Sequence, residues 1–326
     1  MTNLDVNKEE RYHCFFNGDA DGICSVLQFI KSGFLIDSFF TSYKRDHALL
    51  LHGETLHNTN ILVFDLELAK NVKSVKRILD NGCTVTWFDH HGKEEENIFF
   101  KYINFSSNID TCPNTNTSLI VYKFLTNAEL LIWAIVGLFG DNIDNTALYY
   151  CKKLNLSSKE ILTLTELGKL INYNSYGESL SDLIMNPMDI LNQIKQFKDP
   201  FCFYKETNIV ESLKISSARD MELALSYCKK DNIIFLPNLP WAKRVYGMLA
   251  SFLVKKYKIK PIAILVDIGK DNYLVSVRAP LNKPTGVGDL CRLFDSGGGR
   301  AAAGGINRLH KSYLEKFIQA FLNYWT

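Results

Sequence analysis

The stretch FFNGDADG, residues 15–22, places two carboxylates one residue apart between an apolar run and a glycine. It follows RYHC, so residues 11–16 read as a buried strand, and GICSVLQFIKSGF after it has the apolar spacing of a helix. Aspartates at the end of a strand are common in turns, and they are also common metal ligands. The rest of the sequence decides which explanation applies to Asp19 and Asp21.

The same alternation of strand and helix continues along the chain. IDSFFT (36–41), NILVFDLEL (60–68) and CTVTWFDHHG (83–92) read as strands, and KNVKSVKRILDNG (70–82) reads as a helix that stops at Asn-Gly. Strands that alternate with helices are typical of a parallel sheet covered by helices. The sequence therefore predicts an α/β fold with a parallel-sheet N-terminal domain.

The second half of the chain predicts a separate, smaller domain. Residues 115–195 read as mostly helical, and the pattern breaks at a proline and turns polar over 198–210. After that break NIIFLP, KPIAILVDIG and NYLVSVRAP read as strands, and AKRVYGMLASFLVKKY reads as a helix between the first two. We expect an N-terminal domain over 1–197, a linker over 198–210 and a C-terminal α/β domain over 211–326.

Composition sets broad limits on function. The 326 residues carry a formal net charge of only +2, which argues against a strongly basic nucleic-acid binder but leaves a local basic groove open. The polar N-terminal residues lack a signal-peptide pattern, and no apolar run reaches the ~18–20 residues of a membrane span, so we expect a soluble cytoplasmic protein. The eight cysteines show no C-x-x-C spacing and read as buried thiols.

Acidic and histidine side chains follow the predicted strands at their carboxyl ends, where ligands bind in α/β sheets. Taken singly, each has an ordinary explanation, such as a turn for DADG or a helix cap for Asp65. Brought together, carboxylates repel one another unless a cation lies between them. Carboxylate and imidazole ligands suit Mn, Fe, Zn or Mg. The residues are Asp19, Asp21, Asp65, Asp89, His90, His91 and, after a long apolar helix, Asp141.

Five motifs in order along the chain resemble those of one family. NGDADG (17–22), Asp65, DHH (89–91) and FGDN (139–142) closely resemble the four motifs of the DHH phosphoesterase superfamily. SGGGRAAAGG (296–305) resembles the glycine loop of the family's C-terminal domain. The resemblance covers nearly the whole chain. The family includes the RecJ exonuclease, oligoribonucleases and cyclic-dinucleotide phosphodiesterases, and its usual cofactor is Mn²⁺.

The resemblance implies two Mn²⁺ ions, with Mg²⁺ or Co²⁺ as substitutes. It assigns Asp19 to the first ion and Asp21 to the second. Asp65 would bridge the two ions, and His90 and Asp141 would complete the second. Two such ions lower the pKa of a water between them, which makes hydroxide available for attack on phosphorus near neutral pH.

Residues beside these expected ligands include two with expected catalytic roles and two that differ from the family motifs. The resemblance implies that His91 faces the substrate phosphate and that Asp89 orients the histidines. Phe15 stands where many relatives carry His, and Asn17 stands where RecJ-like members carry an acid. The first ion would then be held by the amide oxygen of Asn17, by water, or weakly. Asn17 as an ordinary turn residue is an equal alternative.

The expected substrate-binding residues lie in the C-terminal domain. Arg278 sits at strand spacing among apolar residues and needs a partner, and the resemblance favours a nucleotide contact over a solvent-facing arginine. A loop with Gly297, Gly298 and Gly299 lets backbone N–H groups approach a phosphate, with a plain connector as the alternative. Arg300 stands where the family usually has His, and its guanidinium fork suits a phosphodiester.

Two clusters of basic residues predict surface positions. SYKRDH (42–47) follows a predicted strand, and we interpret it as a surface charge cluster in preference to a group that reaches the active-site edge. Lys243 and Arg244 read as part of a solvated helix face.

The function that the resemblance implies is a metal-dependent phosphodiesterase. It would hydrolyse short oligonucleotides, or cyclic or linear dinucleotides, to 5′-nucleotides in a cleft between the two domains. Alternatives are a single-strand exonuclease, a phosphatase acting on pyrophosphate or a nucleotide bisphosphate, and a metal-poor nucleotide-binding sensor. The expected partner is a short nucleic acid or dinucleotide, a homodimer is one candidate state, and no membrane is expected.

Overall fold

The computed structural model describes residues 6–229 and 231–325. The described chain forms two compact units. The first contains the described residues up to Ser175 together with Leu183–Lys214, and the second contains Tyr176–Asp182 together with the described residues from Ile215 on. Both units combine strands with helices, so the predicted α/β class is confirmed. Among these residues, no helix has both the length and the apolar character that a membrane crossing requires.

The first unit contains a parallel sheet of five strands. In chain order these are β1 (Arg11–Phe16), β2 (Leu35–Thr41), β3 (Asn60–Phe64), β4 (Thr84–Asp89) and β5 (Phe105–Ile109). Across the sheet the order is β2-β1-β3-β4-β5. The helices are α1 (Ala20–Lys31), α2 (Leu68–Asp80), α3 (Thr117–Leu125), α4 (Leu131–Gly140), α5 (Asp144–Lys153), α6 (Ser158–Ser175), α7 (Pro187–Ile194) and α8 (Pro200–Glu206). Helix α9 (Asn208–Ser226) begins in this unit and continues into the second after Lys214.

Aromatic side chains hold α1 against the centre of this sheet. The ring of Phe29 on α1 meets Phe64 of β3 and Phe88 of β4 at centroid distances of 4.9 and 5.4 Å. All three side chains are fully buried. Burying a side chain of this size contributes about 1.5–3 kcal/mol relative to leaving it exposed. The packing fixes the strand ends, and therefore the residues that follow them, in a rigid frame.

A close backbone approach explains the first glycine of NGDADG. A Cβ atom built on Gly18 would lie 1.8 Å from the carbonyl oxygen of Ser42. Only glycine therefore fits where the loop after β1 meets the loop after β2. This contact brings the segment that contains Lys44 against the segment that contains Asp19.

The second unit contains a mixed sheet of five strands. The strands are β6 (Ile233–Leu236), β7 (Ile262–Gly269), β8 (Asn272–Arg278), β9 (Gly297–Gly299) and β10 (Ala303–His310), and the helices are α10 (Pro240–Tyr257), α11 (Val287–Arg292) and α12 (Leu314–Tyr324). The order across the sheet is β6-β7-β8-β10-β9, and among these described strands only β6 and β7 pair in parallel. The predicted glycine loop is thus a β-hairpin made of β9 and the start of β10.

Two segments differ from the secondary structure that the sequence predicts. The expected linker, 198–210, contains α8 and the first residues of α9, because Asp199 caps α8 through the N–H groups of Phe201 and Cys202 and Pro200 starts the helix. Strand β5 has the sequence FSSNI, whose polar residues gave no strand signal, and it forms by pairing with β4 at the edge of the sheet.

Candidate metal centre

The carboxyl ends of three neighbouring strands carry the acidic residues that the sequence singled out. Asp19 and Asp21 follow β1, Asp65 follows β3, and Asp89 is the last residue of β4. Asp141 caps the C-terminus of α4. Parallel strands end at the same edge of a sheet, which brings these side chains together. The structure thus assembles the predicted cluster.

Helix α3 fixes the Asp21 carboxylate. One carboxylate oxygen accepts a hydrogen bond from the N–H of Thr117 at 2.8 Å, and the other accepts one from the N–H of Ser118 at 2.7 Å. These N–H groups belong to the first turn of α3, where they have no partner within the helix and the helix dipole is positive. Burial, together with the charges of Asp65 and Asp141, raises the pKa of Asp21 well above its usual value.

Asp65 leaves β3 in an uncommon backbone conformation. Its φ angle is 58°, in the left-handed region that residues other than glycine seldom adopt. Its Oδ2 accepts a hydrogen bond from the Asn17 amide at 2.9 Å, and its Oδ1 lies 3.4 Å from His90 Nε2. Burial and the nearby charge of Asp19 raise the pKa of Asp65 to about 6.

The two histidines are held by different carboxylates. His90 Nε2 lies 3.4 Å from Asp65 Oδ1 and 3.9 Å from Asp21 Oδ2. Burial lowers the pKa of His90, but the surrounding carboxylates outweigh it and raise that pKa to about 10. His91 Nδ1 lies 2.6 Å from Asp89 Oδ1, and the same oxygen accepts the backbone N–H of His90 at 2.8 Å. Asp89 therefore orients the His91 ring.

Two overlapping groups of side chains have the geometry to hold a divalent cation. One is Asp21, His90 and Asp141, and the other is Asp65, His90 and His91; within each group the donor atoms lie within 4.8 Å of one another. In the described part of the chain, the buried Oδ2 atom of Asp141 has no hydrogen-bond partner. A buried carboxylate oxygen without a donor is costly unless a cation meets it. The donor set therefore fits a metal ion that prefers oxygen and imidazole ligands.

Lys44 lies in the acidic cluster and not on the surface. Its Nζ atom lies 2.5 Å from Asp19 Oδ2 and 3.4 Å from Asp141 Oδ1, and its side chain is only 12% exposed. The interpretation of SYKRDH as a surface charge cluster is wrong at this position. A signal existed, because Lys44 follows β2, and β2 lies beside β1 and ends at the same edge of the sheet.

Asn17 and Phe15 are two of the positions at which the sequence departs from the motifs that it resembles. The Asn17 amide nitrogen donates to Asp19 Oδ2 at 3.2 Å and to Asp65 Oδ2 at 2.9 Å. Phe15 is fully buried and stacks on Phe40, with 4.4 Å between the ring centroids. Asn17 therefore meets the carboxylates through its donor nitrogen, whereas the sequence analysis offered its amide oxygen as a metal ligand, and Phe15 belongs to the core.

Arg278 in the second unit has uncharged hydrogen-bond partners. Its guanidinium donates to the hydroxyls of Ser251 and Ser276 at 3.2 and 3.0 Å, and to the carbonyl oxygen of Val277 at 2.9 Å. Burial lowers the pKa of Arg278 from its ordinary value. These partners supply the contacts that the sequence required, yet none of them carries a compensating negative charge.

The glycines of the β9–β10 hairpin differ in how closely the surrounding backbone packs against them. A Cβ on Gly297 would lie 1.9 Å from the carbonyl oxygen of Cys291, whereas a Cβ on Gly298 would meet nothing within 4 Å. Gly299 has a φ of 147°, and the N–H of the exposed Arg300 donates to the carbonyl oxygen of Ala303 at 2.8 Å in the turn. Packing thus requires glycine at 297, whereas Gly298 has free space on its Cβ side and Arg300 is exposed.

Lys243 and Arg244 are not on a solvated helix face, so that prediction is wrong. Lys243 Nζ lies 3.1 Å from Asp182 Oδ1, and Arg244 lies 2.8 Å from Asp220 Oδ2. All four residues are buried. They belong to the second unit and form a network of buried ion pairs.

Comparison with known proteins reveals a shared fold. Neither a family model nor a curated protein sequence matches the chain. The chain is similar to the solved DHH domain of a protein described as a member of a family of ribosomal proteins, with a TM-score of 0.63 and 12% identity over 97% of this chain and 86% of that one. It is also similar to RecJ in complex with Mn²⁺ from Thermus thermophilus, with a TM-score of 0.58 and 12% identity over 97% of this chain and 52% of that one.

The chain therefore has the fold of DHH-domain proteins, as the sequence motifs predict. It spans about half the length of the RecJ structure, which covers further regions. At this level of identity the likeness concerns the fold, and the chemistry has to be argued from the site itself.

Proposed function

We propose that this protein is a metal-dependent phosphodiesterase that hydrolyses short oligonucleotides or dinucleotides to 5′-nucleotides. The observation that carries the proposal is the group of Asp21, His90 and Asp141, in which the buried Oδ2 atom of Asp141 lacks a hydrogen-bond partner within the described residues. The likeness in fold to a Mn²⁺-bound RecJ structure supports it.

The metal would be held by Asp21, Asp65, His90 and Asp141. A divalent ion at this position supplies Lewis acidity, which activates water for attack on phosphorus and stabilises charge on the phosphoryl oxygens. The chain's own backbone prepares the site, because the N–H groups at the start of α3 hold the Asp21 carboxylate in one orientation. Fixed ligands of this kind do not have to reorganise during the reaction.

His91 is the residue of the cluster that is best placed to meet the substrate. Its side chain is 40% exposed, whereas that of His90 is only 13% exposed. The hydrogen bond from Nδ1 to Asp89 leaves the other ring nitrogen to face the phosphate. His91 would bind and orient a phosphoryl oxygen, and Asp89 would hold the ring in position.

The second unit supports a nucleotide ligand. The hydrogen bonds of the partly buried Arg278 in the described structure go to hydroxyl and carbonyl oxygens, so its charge is free to attract a phosphate. Arg300 is exposed in the turn of the neighbouring hairpin. The small net charge of +2 favours a short substrate, because long nucleic acids are bound through many phosphate contacts.

The experiment is a hydrolysis assay in Mn²⁺, Mg²⁺ and Co²⁺ with a linear dinucleotide (pGpG or pApA), a cyclic dinucleotide, a single-stranded 20-mer and pyrophosphate. We expect Mn²⁺-dependent cleavage of the dinucleotide by the wild type and none by Asp65→Asn. Preference for the 20-mer would favour the exonuclease alternative, and cleavage of pyrophosphate alone would favour a phosphatase. Binding of a nucleotide without hydrolysis in any of the three metals would contradict the proposal.

A further inference from the structure

We infer that the ammonium group of Lys44 occupies the place of one of the two metal ions that the resemblance implies, so that the site binds a single divalent cation. The inference rests on the metal site proposed above and changes its composition. It assigns Lys44 a positioning role, because the lysine acts through the carboxylates that it contacts.

The main chain holds Lys44 in this position from two sides. Its backbone N–H donates to the carbonyl oxygen of Ser175 at 2.8 Å. The carbonyl oxygen of Ser42 packs against Gly18 so closely that no side chain fits there. The segment that contains Lys44 is therefore fixed against the loop that contains Asp19. The backbone, and not only the long side chain, places the ammonium group beside Asp19.

The Asp19 carboxylate already has donors on both oxygens. Oδ1 accepts the N–H of Gly22 at 3.0 Å as the cap of α1. Oδ2 accepts the Asn17 amide at 3.2 Å and lies 2.5 Å from Lys44 Nζ. An ion bound by Asp19 would have to displace the ammonium group, and a divalent ion beside that group would be repelled by it.

The opposite side of the cluster still has a buried carboxylate oxygen without a donor. Lys44 contacts Oδ1 of Asp141, whereas Oδ2 stays without a hydrogen-bond partner in the described structure. Asp141 therefore lies between Lys44 and the candidate metal group. One of its oxygens contacts the lysine, and the residue also belongs to the group with Asp21 and His90. One divalent ion at that group balances the remaining carboxylates without approaching Asp19.

The test is the number of Mn²⁺ ions bound per chain. It is measured by equilibrium dialysis with metal analysis and by electron paramagnetic resonance on the intact protein. We expect one Mn²⁺ per wild-type chain and a spectrum of an isolated ion. In Lys44→Met, which keeps an unbranched side chain of similar size and removes the charge, we expect the stoichiometry to rise to two, with a spin-coupled spectrum. Lys73→Met, at an exposed position of α2, is the matched control and should bind one ion.

Two coupled ions in the wild type would overturn the inference, and so would a folded Lys44→Met variant that still binds one. If that variant does not fold, as judged by circular dichroism, the wild-type stoichiometry alone decides. One ion without hydrolysis would leave the lysine inference standing and contradict the proposed activity. No bound Mn²⁺ would contradict both.

Discussion

Lys44 in the first unit, whose side chain is 12% exposed, and the buried Lys243 in the second both contact aspartates, yet the charges around them differ. Lys243 and Arg244 face two carboxylates, those of Asp182 and Asp220, so positive and negative groups are equal in number. Lys44 also contacts two carboxylates, but two more, Asp21 and Asp65, are buried beside them. The sequence suggested a surface position for both lysines.

The balance of charges distinguishes the structural ion-pair network around Lys243 from a binding site around Lys44. A balanced buried network needs nothing further, because each charge has a partner and hydrogen bonds. A cluster with excess carboxylates stays unfavourable until protons or a cation join it. Histidine protonation supplies part of that charge in the first unit, which is why the carboxylates raise the pKa of His90 to about 10. A divalent ion would supply it more completely.

Removal of the lysine from the balanced network should have the largest effect. We expect Lys243→Met to lower the free energy of unfolding by about 3–5 kcal/mol, because it leaves Asp182 buried without its ion-pair partner. Urea unfolding followed by circular dichroism measures this. The double variant Lys243→Met/Asp182→Asn should recover part of the loss, and a single variant as stable as the wild type would show that the pair is not structural.

Added metal should stabilise the protein through the acidic cluster around Lys44 and not through the ion-pair network around Lys243. At a Mn²⁺ concentration about 100 times its dissociation constant, binding should add roughly 2.7 kcal/mol to the stability of the wild type. Thermal unfolding with and without Mn²⁺ gives the difference. Asp21→Asn should lose this gain and Asp182→Asn should keep it. An equal loss in the two variants would mean that the units do not differ as described.

Loss of the residue that orients His91 should affect activity without affecting metal content. We expect Asp89→Asn to reduce dinucleotide hydrolysis by about 10–100-fold, because partners of this kind fix ring orientation and tautomer. Bound Mn²⁺, measured by metal analysis, should stay at the wild-type level. A fall in metal content that matches the fall in activity would instead make Asp89 part of the metal site.

Metal affinity should depend on pH through His90. Without metal the pKa of His90 is raised to about 10, so the ring carries a proton at pH 7 that a metal ion must displace. Binding should therefore release about one proton, and affinity should rise about tenfold per pH unit between pH 7 and pH 9. Calorimetry in two buffers with different ionisation enthalpies counts the protons. An affinity that does not change over this range would exclude His90 as a ligand.

The sequence predicted the part of the molecule whose signals are local. Strand β1 and helix α1 follow from apolar spacing, and Asp19, Asp21 and Asp65 could be assigned to one edge because each lies near the carboxyl end of a predicted strand. Strand β5 gave no signal because its polar sequence pairs with β4 only once the sheet exists. The β9–β10 hairpin was missed for a similar reason, since glycine-rich segments have low strand propensity and depend on pairing with β8.

The contacts of Lys44 and Lys243 were not predicted, because the aspartates that they contact are distant along the chain. Lys243 pairs with Asp182, 61 positions away, and Lys44 pairs with Asp19 and Asp141, which lie 25 and 97 positions away. A basic residue next to polar neighbours reads as solvated unless its partner is known. For Lys44 the order of strands would have given a hint, because β2 and β1 are neighbours in the sheet.

The most direct test of a single cation site in the acidic cluster is a crystal structure of the protein grown with Mn²⁺. Anomalous scattering data would be collected at the manganese edge. We expect one anomalous peak within ligand distance of Asp21, His90 and Asp141, with the Lys44 ammonium still in contact with Asp19. A fully ordered cluster without an anomalous peak, at a Mn²⁺ concentration that supports hydrolysis, would contradict it.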